Sequence, residues 1–185
     1  MIEFKNVKVI IMKNEQIRKV TIISSLIAIG VILSIVDKLI SSIAFPFLPM
    51  AKIWVDNIVI LICVYNFKIT DVIIMALLKS ILTGLIFGSL MSFFIGASGT
   101  ILSVIAMLTI KKTISEKISP IGVSMFGGTF HIFGQILIIT VVYSLGSEVM
   151  LYGGYLLLMS LVTSVLVGYI AKRLIDYKHL KLNRN

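Results

Sequence analysis

Phe45-Pro-Phe-Leu-Pro-Met-Ala-Lys-Ile-Trp-Val-Asp-Asn-Ile-Val-Ile-Leu-Ile-Cys-Val-Tyr-Asn-Phe67 is the stretch on which the fold turns. Its first half gathers prolines and aromatics with three side chains able to hold a ligand, Lys52, Asp56 and Asn57. Its second half, residues 53–67, is apolar but only 15 residues long, roughly 22 Å as a helix, where crossing a bilayer takes about 20 residues. Either this helix begins inside the preceding loop, near Met50, or it sits recessed with its amino end below the membrane surface. A recessed end leaves unpaired N–H groups and the positive pole of the helix dipole facing a cavity, which suits an anionic or carbonyl-bearing ligand.

The rest of the chain is oilier still. Of 185 residues, 58% are hydrophobic and 14% charged, and the mean hydropathy is +1.10. A soluble domain of this size cannot cover so much apolar surface, so the chain reads as an all-α integral membrane protein. Apolar runs at 17–36, 53–67, 71–87, 92–110, 121–143 and 149–170 give six transmembrane helices in one bundle. The first run is too long for the core of a signal peptide and is read as a retained helix. Residues 1–16 form an N-terminal extension, 17–170 the membrane domain, and 171–185 a basic tail.

A net charge of +9 would suggest nucleic acid for a soluble protein. Here charge follows topology: all of the 17 lysines and arginines except Lys38, Lys52 and Lys79 fall in the tails, at the very start of the first span (Arg18 and Lys19) or in the loops after the second and fourth spans. The positive-inside rule then puts both termini in the cytoplasm of a cell (plasma) membrane protein, with no nucleic-acid partner. The single cysteine, Cys63, excludes an intramolecular disulfide, and no Cys/His cluster suggests a metal or other cofactor.

Depth singles out the chemistry. Lys79 sits about 12 Å up the third helix and His131 about 15 Å along the fifth, both near the bilayer midplane, where polar groups are expensive. His131 and Gln135 share a helix face, as do Lys52 and Asp56. Lys79 either pairs with Asp56 or touches a ligand; His131 and Gln135 either bond between helices or line a site. Lys52, Trp54, Asp56, Asn57, Lys79, His131 and Gln135 are therefore the candidate substrate-binding residues, with Phe45, Phe47, Phe93, Phe130 and Phe133 as apolar walls. Small residues at Ser24, Ala28, Gly30 and Ser34 on the first helix, and at Gly84 and Gly88 on the third, permit close helix approach, within the bundle or onto a membrane partner. The chain holds no G-x-x-x-x-G-K-[ST] phosphate loop, no paired aspartates for magnesium diphosphates, no G-x-S-x-G and no H-E-x-x-H, so no enzymatic activity is expected.

Ala51-Lys52, Asn57-Ile-Val, Asp71, Leu78-Lys79, Gly88, Ser92-Phe93, Gly99 and His131-x-x-Gly134-Gln135 together resemble the Gx transporter family, whose members are often labelled heptaprenyl diphosphate synthase component I. The resemblance runs from about Pro49 to Gly168; Lys79 stands where the family commonly has arginine, and Asp56 is outside the pattern. It implies an S component, the substrate-binding subunit of an energy-coupling factor transporter. Such a subunit captures a vitamin-like solute from outside and works with a membrane scaffold (T) subunit and two cytosolic ATPases. The two lysines and the aromatics suit an amphipathic solute such as a flavin, a quinone precursor or an isoprenoid phosphate. The alternative is a non-catalytic membrane accessory subunit of isoprenoid or quinone synthesis.

Overall fold

In lipid, an apolar segment can satisfy its own backbone only as a helix or in a closed barrel. The computed structural model describes residues 2–44, 54–87, 90–114, 117–143 and 148–176, and these contain helices and no strand. In chain order they are α1 (Ile2–Ala44), α2 (Asn57–Asn66), α3 (Ile69–Phe87), α4 (Leu90–Ile114), α5 (Pro120–Tyr143) and α6 (Glu148–Asp176). Five of them, all but α2, are long and apolar enough to cross a membrane. Their outward residues are large and apolar, as lipid contact requires: Leu85, Val141 and Leu158 are each at least two-thirds exposed.

The short helix is the centre of the bundle. Ten residues make α2 about 15 Å long, and every side chain from Asn57 to Val64 is buried. It touches all five other helices, which surround it in the order α1, α3, α4, α5, α6. Ile60 and Leu61 are fully enclosed, against a shell that includes Val31, Val72, Met75, Met107, Val123 and Val167. The ring is open on one side: among the described residues α1 and α6 do not touch.

Charged contacts fix the directions. Lys19 pairs with Asp71 at 2.7 Å near the start of α3, and Gly30 lies against the stem of Lys79 further along, so α1 and α3 run parallel. Between them α2 runs the opposite way, joined to α3 by a tight turn at Phe67 and Lys68. Lys111, near the end of α4, donates to the Val64 carbonyl in the last turn of α2 and lies 4.5 Å from the Tyr65 ring. An ammonium there faces the negative pole of the α2 dipole.

Element boundaries differ from the sequence reading in three places. α1 is one continuous helix from Ile2, so the N-terminal extension and first span are not separate elements; no proline or glycine interrupts the chain before Gly30. α2 starts at Asn57, not residue 53, because Trp54 adopts φ 55° and residues 54–56 close a turn with Asn57 N–H to Trp54 O (3.0 Å) and Ile58 N–H to Val55 O (3.1 Å). Its amino end is thus recessed among its neighbours, with Asn57 buried. α6 continues past residue 170 to Asp176 and carries Lys172 and Arg173, so the first part of the basic tail is helical.

Candidate functional site

The blunt amino end of α2 collects the polar side chains. Asp56 precedes the helix but makes no side-chain cap. Its carboxylate instead accepts from the Lys79 ammonium, and the same oxygen lies 2.8 Å from the Ser34 hydroxyl. The Ser34 hydroxyl is also 2.9 Å from the Gly30 carbonyl, so its one proton serves either acceptor. Lys79 lies about 15 Å from the start of α3, and its side chain is 4% exposed against 18% for Asp56. Gly30 makes room for it, since a Cβ there would lie 3.3 Å from Lys79 Cδ. An ammonium at the centre of a membrane helix costs about 2.5–3.5 kcal/mol to insert, and pairing it with a carboxylate and a hydroxyl offsets that. One turn along α1, buried Asp37 accepts from the Val55 N–H at 3.4 Å.

The second part comes from α5. His131 and Gln135 are both buried on its inner face, and the His131 ring meets Trp54 edge-on, with centroids 6.0 Å apart and planes at 66°. Their setting explains the His-x-x-Gly-Gln spacing. A Cβ on Gly134 would lie 2.6 Å from the Ser98 carbonyl oxygen and 2.8 Å from Gly99 Cα, so only glycine lets α5 cross α4 this closely. A Cβ on Gly99 would in turn meet His131 Nε2 at 2.9 Å and Gln135 Cγ at 3.0 Å. The two polar side chains straddle the crossing, and Ser98 donates to the Gly134 carbonyl at 2.9 Å. Trp54 ties this part to the first: it is 4% exposed and packs on Ile132 of α5 and Leu156 of α6.

Trp54, Asp56 and Asn57 thus lie at the amino end of α2, with Lys79 bound to it from α3 and His131 reaching it from α5. Gln135 lies one turn beyond His131. Lys52, Phe45 and Phe47 lie outside the described residues, and with them the helix face that Lys52 was expected to share with Asp56. Three of the aromatic walls do not hold. Phe130 and Phe133 are 40% and 52% exposed and line an apolar groove with Leu102, Leu137 and Val141, on the face of α5 opposite His131 and Gln135. Phe93 packs on Gly84 in the seam between α3 and α4. Of the small residues on α1, Ser24 and Ala28 are exposed, whereas Gly30 and Ser34 face inward and hold Lys79 and Asp56.

On the α1 face that holds Ser34 two buried groups escaped the sequence reading, Asp37 and Ser41, as did buried Thr100, Ser103, Ser124, Ser160 and Ser164 elsewhere in the bundle. A signal was present: Gly30, Ser34, Asp37 and Ser41 recur at spacings of four, three and four, one face of a helix, provided the helix is known to continue beyond residue 36.

A family model described as heptaprenyl diphosphate synthase component I matches residues 26–174, a range that includes every residue of the cluster. No curated protein and no solved structure matches the chain.

Proposed function

The chain belongs to the heptaprenyl diphosphate synthase component I family, and from that premise we propose that it is the substrate-binding membrane subunit of an energy-coupling factor type transporter. One observation carries the reading: a charged and hydrogen-bonded cluster is held at the recessed amino end of a helix too short to cross the bilayer, at the depth of the middle of α3. Membrane proteins keep ionisable groups at that depth chiefly where they face a cavity, a pathway or one another. Lys79 and Asp56 face one another and fix the end of α2; Asn57, Trp54, His131 and Gln135 then provide donors and acceptors toward a solute. By the positive-inside rule the basic end of the bundle lies in the cytoplasm, and the cluster, at the other end of α2, then lies on the outer side. In this reading a membrane scaffold and two cytosolic ATPases supply the energy, and the chain itself catalyses no reaction.

The family description favours a second reading, a membrane accessory subunit for a soluble prenyl diphosphate synthase. Mass spectrometry of small molecules released from gently purified protein, with an affinity pull-down from the same membranes, separates the two. A solute enriched with wild type and retained at least tenfold more weakly by Lys79→Ala (about 1.4 kcal/mol), together with co-purifying ATPases, supports uptake. A soluble prenyl synthase with no enriched solute overturns it.

A further inference from the structure

The last turns of α6 present a cation to the bilayer in a fixed posture. The Arg173 side chain turns back along the helix, and its Nε–H and an Nη2–H donate to the Tyr169 hydroxyl oxygen at 3.3 and 3.0 Å. The guanidinium carbon lies 5.4 Å from the ring centroid. Both residues are exposed, so packing does not impose this bond. Asp176 lies three residues further on, yet among the described residues neither Arg173 nor the exposed Lys172 forms an ion pair.

A cation at this place complements the negative pole of α6 and obeys the positive-inside rule, which accounts for its charge. Its direction needs another reason. α6 runs toward the basic end of the bundle, and an arginine seeking water there extends away from Tyr169. Two of the five guanidinium N–H donors are spent on the phenol oxygen, which leaves the others and the phenol O–H for an acceptor.

The same face continues into the membrane as an apolar strip. Leu158, Val162, Leu166, Tyr169 and Arg173 recur at spacings of four, four, three and four, one side of a helix. The first three are 67%, 63% and 58% exposed. From Leu158 to Tyr169 the strip is about 16 Å long, about half of a bilayer's hydrocarbon core and so the reach of one acyl chain. An apolar strip that ends at unspent cationic donors matches a chain followed by a phosphate. Lys172 adds a second positive charge, which repels the choline of a zwitterionic headgroup and favours a lipid of net negative charge.

We propose that Tyr169 and Arg173, with Lys172, bind the phosphate of one anionic phospholipid in the leaflet at the basic end of the bundle, its acyl chain lying along α6. The site is distinct from the cluster at the amino end of α2 and does not depend on the transport reading.

The test is native mass spectrometry of the full-length protein in mild detergent with equal amounts of phosphatidylglycerol and phosphatidylcholine. One phosphatidylglycerol is expected to stay bound at least about tenfold more than phosphatidylcholine. Arg173→Met should lower that retention about fivefold. Tyr169→Phe keeps the ring and every charge but removes the oxygen that orients the guanidinium, and should lower it at least about threefold. Lys112→Met removes the same charge from an exposed position at the end of α4 and should change nothing. Equal retention of the two lipids, no effect of Tyr169→Phe, or a loss in Lys112→Met as large as in Arg173→Met shows diffuse attraction only and overturns the site. Both site residues are exposed, so the variants should melt with wild type; if Arg173→Met melts lower, Tyr169→Phe decides.

Discussion

Replacing Lys79 by methionine tests whether the ionic cluster holds the bundle together. The variant keeps the stem that packs on Gly30 and removes the ammonium from Asp56 and its neighbour Ser34. Breaking a buried ion pair by deleting one partner costs about 3–5 kcal/mol. Chains unfolded within a membrane find other partners for polar groups, which favours the lower end of about 3 kcal/mol. A chain of this length loses about 2–4 °C of Tm per kcal/mol, so the expected drop is roughly 6–12 °C. The partners are unequal: Lys79 is 4% exposed and Asp56 18%, so the stranded ammonium of Asp56→Leu is worse placed than the stranded carboxylate of Lys79→Met. Asp56→Leu should therefore lower Tm further, while the double variant Lys79→Met/Asp56→Leu, which buries no charge, recovers most of the loss. Thermal unfolding in mild detergent, followed by Trp54 emission, measures all three. If Lys79→Met lies within about 1 °C of wild type, or the double variant is no more stable than Asp56→Leu alone, the pair is not a structural link and the reasoning fails.

Other consequences are open to direct measurement. Gly134→Ala should cost about 1–3 kcal/mol, because its Cβ would meet backbone atoms that cannot turn aside; Gly154→Ala, with nothing within 4 Å, should be neutral, and comparison of their melting curves tests the α4–α5 crossing. Lys111→Met should cost about 1–2 kcal/mol by leaving the last turn of α2 without its cation, seen as a lower Tm and faster amide exchange at Val64 and Tyr65. Orientation is tested in a Cys63→Ala background. A membrane-impermeant maleimide on intact cells should label Ser147→Cys and spare Asn183→Cys, and the reverse pattern would invert the proposed topology.

The helices were legible because the signal for them is length of apolar run, and that survives without any tertiary information. α3 and α5 come within two residues of their expected starts and end where expected, since Pro120, and the Phe67–Lys68 turn before Thr70 and Asp71, mark them in the sequence. The shortness of α2 was visible too, but its place in the centre was not: that follows from packing, and nothing in ten apolar residues says how many neighbours surround them. The Lys79–Asp56 pair was one of two readings open from depth and charge alone, and the geometry shows the pairing. Asp37 was passed over because Asp37-Lys38 resembles the polar end of a span, whereas α1 continues to Ala44 and turns that carboxylate inward. Phe130 and Phe133 were misplaced for the opposite reason. They flank His131 in sequence, but one and two residues along a helix are different faces, and theirs is the lipid side.

The shortness of α2 also bears on how the protein is made. Ten residues cannot anchor themselves across a bilayer, and α3 enters it carrying an ammonium whose insertion alone is unfavourable. Because the tight turn at Phe67 and Lys68 joins them, and because Asp56 at the far end of α2 returns to the level of Lys79, the two segments neutralise each other only as a hairpin. Translocation of this region is thus a joint event, in which the second segment of the pair must emerge from the ribosome before the first has a stable place in the membrane.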